Sequence, residues 1–238
     1  MSCLRLSSSL VHSRWSMVNG NRRALLHHRL WTMDYRLLTV LLSILTLLSC
    51  SSYQSQLKPT QADQACLQKF KPAFTSDWYK TSIDVRGHHL SGLLLFKTMP
   101  DKNMRVVFTN EVGTTFFDFE FTSGGSFTAH QVMNQINHKA VIQTLRRDIQ
   151  LILMQGIDAP LTPLSSGNDM WYAQENKKET TYFVTDLSCK KLIRIETASK
   201  RKKKVDVVSF GQQNHSPDSV HLQHYNFAMQ INLNRVKR

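Results

Sequence analysis

Met104-Arg105-Val106-Val107-Phe108-Thr109, then Asn110-Glu111-Val112-Gly113, then Thr115-Phe116-Phe117-Asp118-Phe119-Glu120-Phe121-Thr122, is the stretch from which the fold can be read. In the first run Met104, Val106 and Phe108 fall on one side of a period of two. In the last, Phe117, Phe119 and Phe121 fall on one side and Phe116, Asp118 and Glu120 on the other. Successive side chains of a strand point to opposite faces, so this alternation marks two half-buried strands. The four residues between them form a turn too short for a crossover, so the strands run antiparallel.

The same pattern continues outward on both sides. Residues 79–85 alternate and 90–97 form a more apolar run, joined by Arg86-Gly87-His88, and Pro100-Asp101-Lys102-Asn103 turns the chain into Met104. Gly124-Gly125 closes this meander. From 130 to 155 the period becomes helical. Val132, Met133, Ile136, Ala140, Val141, Leu145, Ile149, Ile152 and Leu153 recur at steps of three and four, and Lys139, Arg146, Arg147 and Asp148 are assigned to other angles. Asn137 is a candidate cap for a second helix after a short first one, and Gly156 ends the pattern. Residues 157–170, with Pro160, Pro163 and Gly167, read as a loop. Short apolar runs follow at 171–174, 180–185, 192–197, 205–210, 220–224 and 227–233, separated by turn residues. The expected fold class is α+β: about ten antiparallel strands in one curled sheet, an open half-barrel, with the helical insert on its concave face. The concave side would then be lined by Met104, Val106, Phe108, Phe117, Phe119, Phe121, Leu145 and Ile149. A period-two aromatic row is as well explained by a filled core as by a ligand cavity, and on a curled sheet the two are the same surface.

The amino-terminal third is organised differently. Residues 37–48 are an uncharged apolar run, shorter than the ~20 residues needed to cross a bilayer but within the ~7–15 of a signal-peptide core. Arg36 supplies a positive flank. Leu47-Leu48-Ser49-Cys50 follows, then polar Ser51-Ser52-Tyr53-Gln54. This resembles the lipobox of bacterial lipoproteins, which implies cleavage before Cys50 and acyl chains on that cysteine. Residues 1–49 are thus expected to be a signal peptide, with translation starting at Met33 because 1–32 carry no steady period. A non-acidic Ser51 implies sorting to the outer membrane, with the domain facing the periplasm. Residues 50–78 are read as a lipidated tether and lead-in, the Gln-, Ser-, Thr- and Pro-rich 51–65 holding the domain off the membrane. The domain itself is expected from 79 to 238.

Hydrophobic residues make up 41% of the 238, enough for a packed core, and the formal net charge of +13 is uneven. Residues 1–49 hold six arginines against one aspartate, and much of the remaining excess sits at 200–204 and in Arg235, Lys237 and Arg238. Aromatic side chains are not interleaved with these charges, so a nucleic-acid platform is not expected and a solvated loop and tail are. With Cys3 ahead of Met33 and Cys50 acylated, Cys66 and Cys189 remain. In an oxidising compartment two such cysteines pair if the fold brings them close, which sequence does not decide.

The hairpin Phe108-Thr109-Asn110-Glu111-Val112-Gly113-Thr114-Thr115 resembles the third-strand hairpin of the bacterial lipoprotein-carrier family of LolA and LolB, where an apolar strand ends in Thr-Asn-Pro-Leu-Gly. Pro217-Asp218-Ser219-Val220 and the hairpin running to Val236 are similar to the end of that family. The order meander, helical insert, meander is shared as well. The chain also resembles a set of lipoproteins from Bacteroidetes-type bacteria. The resemblance implies a half-barrel closed by helices around an apolar cavity, acyl chains or lipoproteins as ligands, and Val112 as the apolar residue that the loop presents to a membrane. The chain departs at Glu111 and Val112, where LolB has Pro and Leu.

Catalytic signatures are missing from the sequence: there is no nucleophile elbow and no phosphate loop. His88-His89, and His221 with His224, are spaced so that strand geometry sends their side chains to opposite faces, so no metal is expected. Asp118 and Glu120 share a face and read as the wet side of a hairpin. The expectation is a binding module, not an enzyme: a monomer without cofactor whose partners are the membrane, through its lipid, and acyl chains or lipoproteins. The alternative is an outer-membrane assembly accessory of the same fold with a filled core.

Overall fold

The structure is a computed structural model that describes residues 53–85, 87–213 and 216–237, with the backbone alone at Gln212 and Gln213. The readings that concern Cys50, Met33 and the apolar run at 37–48 lie outside these residues.

Among the described residues, thirteen strands form a single antiparallel sheet. In chain order they are β1 (Lys58–Pro59), β2 (Ser76–Val85), β3 (His88–Thr98), β4 (Met104–Thr109), β5 (Thr115–Phe121), β6 (Phe127–Val132), β7 (Thr162–Ser166), β8 (Asp169–Glu175), β9 (Thr180–Asp186), β10 (Leu192–Ala198), β11 (Lys203–Gln213), β12 (Ser216–His224) and β13 (Met229–Arg235). An α-helix, α1 (Lys139–Ile152), separates the two meanders, and 3₁₀ turns lie at Gln64–Phe70 and Asn134–Ile136. The spatial order is β1-β7-β8-β9-β10-β11-β12-β13-β2-β3-β4-β5-β6, so the two meanders are joined where β13 pairs with β2, and β1 and β6 are free edges. The sheet is open.

Its curl follows from what one helix touches. Residues of α1 enclose one cavity with Phe117 of β5 and another with Gln174 of β8. Strands β5 and β8 are nine steps apart in the sheet, roughly 43 Å if it were flat at ~4.8 Å per step. A helix of ~10 Å diameter reaches both only if the sheet wraps around it.

The architecture is the expected half-barrel with a helical insert, with more strands than the expected ten and with several local differences. Residues 130–132, assigned to the helix, continue edge strand β6, and the loop expected at 157–170 contains β7. The helix is capped at His138 rather than Asn137, without a side-chain hydrogen bond from the cap. Phe116, assigned to the wet face, is 8% exposed in the main core. The reason is a bulge: Phe108 opposes Phe117 and Thr109 opposes Thr115, so Phe116 is one residue too many on β5. The extra residue bends the strand and re-aims its side chain, and its ring lies 4.8 Å from Phe108.

The expected tether is instead part of the fold from Tyr53 onward. Lys58 and Pro59 pair with Ser165 and Leu164, Tyr53 N–H donates to Lys200 O at 2.9 Å, and Leu67 is buried in the core. Tyr53 and Leu57 pack with Trp171, Tyr182 and Val184 in a small second core on the outer face of the sheet. Strand β9 is therefore buried on both faces, Phe183 inward and Tyr182 outward, which is why Tyr182-Phe183-Val184 at its centre shows no polar alternation. Cys66 and Cys189 are joined by a disulfide, Cα–Cα 6.0 Å, that ties the first 3₁₀ turn to the β9–β10 turn.

Candidate functional site

Helix α1 separates two adjoining cavities on the concave face. The first, about 310 Å³, is bordered by Ile83, Leu90, Phe117, Val141, Leu145 and Met229. Every one of these side chains is apolar. The space opens where the helix presents the short side chains Ala140, Val141 and Thr144 to the sheet. Of the eight residues expected to line a cavity, Phe117 and Leu145 do so. Val106, Phe108, Phe119, Phe121 and Ile149 are buried in filled core, and Met104 packs at its margin. The period of two determines that these side chains face inward. It carries nothing about where the helix stands off the sheet. Ile83, missed as a lining residue, carries the same signal, since it lies on the inward parity of 79–85.

The second cavity, about 420 Å³, lies between α1 and the strands β8 to β12, and Arg147, Asp148, Gln174, Glu179, Lys204 and His224 are among its walls. Thr144 and Phe227 border both cavities. Asp148 was assigned to an outer angle of the helix, yet it is 1% exposed. The helix geometry explains this: at ~100° per residue, position 148 is ~300° on from Leu145, which returns it to the buried stripe. His224 Nε2 lies within hydrogen-bond distance of both Asp148 oxygens, at 3.1 and 3.0 Å. Burial pushes the Asp148 carboxyl above its ordinary range, and the His224 hydrogen bond pulls the other way. Glu179 accepts from Lys204 Nζ at 3.0 Å and has Arg147 Nη1 at 3.8 Å.

The remaining polar candidates are built into the sheet. Arg105 Nη2 donates to Asp118 Oδ2 at 2.7 Å. Glu120 lies within reach of His130 and Asn103, whose hydrogen bonds hold its carboxyl below the usual range. The Asp118 and Glu120 pair is thus a cross-strand ion-pair network. His221 bonds Asn232 on the face away from α1, and His89 bonds Asp84. Among the described residues no three His, Cys, Asp or Glu side chains converge as a metal site requires. The basic run at 200–204 is divided. Lys203 pairs with Asp206 and Glu196 and Lys204 with Glu179, while 200–202 form the β10–β11 turn.

At the far end of the β4–β5 hairpin, Val112 is 87% exposed. The loop is caged from beneath: Asn110 Oδ1 accepts from Val112 N–H at 3.1 Å and from Thr114 N–H at 2.7 Å. Gly113 sits at φ +87°, a conformation that suits glycine.

No protein-family model matches this chain, and no curated protein does. Among solved structures it is similar to a DUF1329 family protein from Desulfovibrio piger, at 9% identity and a TM-score of 0.42 over 76% of this chain and 92% of that one. It is also similar to a domain from Vibrio parahaemolyticus named for outer-membrane lipoprotein sorting, at 5% identity and a TM-score of 0.39 over 73% of this chain and 90% of that one.

Proposed function

We propose that this chain is a lipoprotein of the bacterial outer membrane, anchored through acyl chains on Cys50 and facing the periplasm. Its half-barrel holds an acyl chain, free or carried by a lipoprotein, beneath α1. It acts by binding, without catalysis. The observation that carries the reading is the apolar cavity of about 310 Å³ between α1 and strands β2, β3, β5 and β13, at the lower end of the ~300–1,000 Å³ typical of ligand pockets. The lipobox-like Leu47-Leu48-Ser49-Cys50 supports the anchor. The exposed Val112 on its caged hairpin supports a role in passing acyl chains to a membrane.

The test is uptake of a fluorescent fatty acid by the full chain, with native mass spectrometry for co-purified lipid. Val141→Trp, which fills the pocket from the helix side, is expected to weaken uptake roughly tenfold, about 1.4 kcal/mol. In cells, Cys50→Ala is expected to abolish incorporation of labelled palmitate and to leave the precursor uncut. Continued labelling would remove the anchor. One observation favours the alternative of an assembly accessory: Val106, Phe108, Phe119 and Phe121 leave no free space around them. A clean apo mass together with no fatty-acid uptake decides for that reading.

A further inference from the structure

The two cavities flanking α1 meet at Thr144 and Phe227, and they differ in chemistry. The first has apolar walls. The second is bordered by two cations, Arg147 and Lys204, and by two carboxylates, Asp148 and Glu179. These carboxylates are not equivalent. Asp148 is fully buried and both its oxygens are engaged by His224, so neither oxygen is the close partner of Arg147 or Lys204. Glu179 is the single carboxylate left, and it is shared between Lys204 at 3.0 Å and Arg147 at 3.8 Å. Two cations thus share one carboxylate, and Arg147, the farther of the two, is the less closely held. Arg147 is 65% exposed at its side chain, and a guanidinium has five N–H donors in a planar fork. It therefore keeps donors for an incoming anion. Gln174 and Thr181 add neutral polar groups to the same walls.

We infer that the two cavities are one site for a single-chain amphiphile with a negatively charged head: the acyl chain enters the apolar cavity, and a carboxylate or phosphate head lies against Arg147 and Lys204. This rests on the acyl-binding reading above and adds the charge of the ligand to it. An amphiphile spanning the junction at Thr144 and Phe227 places each of its halves against walls of matching chemistry. A cationic head would be repelled by Arg147 and Lys204, and a neutral head would leave the two cations to share Glu179 alone.

Four ligands of equal chain length separate the possibilities: dodecanoate, dodecyl phosphate, dodecanol and dodecyltrimethylammonium, each titrated into the full chain below micelle formation by displacement of a fluorescent fatty acid. Both anions are expected to bind at least fivefold tighter than dodecanol, and the cation more weakly than dodecanol. The ratio between dodecanoate and dodecyl phosphate then tells a carboxylate from a phosphate head. In Arg147→Gln the ratio of dodecanoate to dodecanol affinity is expected to fall towards one. In Glu179→Gln, which releases both cations, it is expected to rise. Equal binding of all four ligands, or ratios unmoved by both variants, overturns the head-group site and leaves the acyl pocket standing. If none of the four binds, the acyl-binding reading fails and this inference fails with it.

Discussion

Val112 stands on a loop whose geometry does not depend on it. The cage is made by Asn110, and the left-handed turn by Gly113. Val112→Glu is therefore expected to leave the unfolding midpoint within ~0.5 kcal/mol of the parent, while impairing lipoprotein delivery to the outer membrane in cells. Normal growth and normal lipoprotein sorting in the mutant would remove a transfer role for the loop. Asp148 is the opposite kind of residue, buried and titratable. Its carboxyl is raised by burial, so the folded chain keeps a proton that the unfolded chain releases once pH passes about 3.9. Folding takes up protons in that window, and stability falls as pH rises through it. Asp148→Asn keeps the shape and removes the titration. As pH rises from ~4 the variant's urea midpoint should gain on the parent's until the folded carboxyl itself ionises, and then hold level. A parent that gains on the variant over that range contradicts the assigned direction.

Among the elements, the segment ahead of β2 has a larger structural part than its composition suggests. Tyr53 O–H donates to Glu196, a carboxylate with no exposed surface that also meets Arg194 at 2.8 Å. Gln54 Nε2–H donates to the Tyr182 hydroxyl oxygen at 2.6 Å. Gln64 ties in the stretch after α1, donating to Ile157 O and Ala159 O at 2.7 Å each and accepting from Leu161 N–H at 3.0 Å. At a net ~1 kcal/mol per hydrogen bond, plus the apolar cover over Trp171 and Tyr182, a chain beginning at Cys66 is expected to lose at least ~2 kcal/mol of stability. Its tryptophan emission should shift red as Trp171 meets water. An unchanged midpoint would mean that these residues lie on the sheet without supporting it.

Across the whole molecule, the open sheet has no closing seam, and its cross-link lies elsewhere. The Cys66–Cys189 disulfide spans a sequence separation of 123 residues, which in the chain-entropy account restricts the unfolded state by about 5 kcal/mol. Reduction, or Cys66→Ser with Cys189→Ser, is expected to lower stability by roughly 2–5 kcal/mol without changing the strand order, since β13–β2 pairing does not involve either cysteine. The readouts are urea midpoints with and without reductant and an unchanged far-ultraviolet circular dichroism spectrum. Equal midpoints in the two conditions would show that the cross-link adds nothing to the folded state.

Strand or helix, and inward or outward, were legible along most of the chain because both are local. Side chains alternate along β4 and β5, and apolar residues recur every three or four positions along α1, whatever lies across the core. Even there the angular reading of Asp148 failed, because its charge was taken as a guide to exposure when its phase was the better one. What only the tertiary structure decided depends on residues far apart in the chain. Asn232 beside Ser82 at a separation of 150 joins the two meanders. The β4–β5 register turns Phe116 inward through a bulge that no composition marks. The outer face of β9 is covered by Tyr53 and Leu57, so a segment that reads as a tether becomes part of the fold. The cavity itself belongs to this second class. Periodicity selects the side chains that face the interior, but whether they meet or leave room depends on how closely α1 approaches the curled sheet, and only the assembled chain sets that distance.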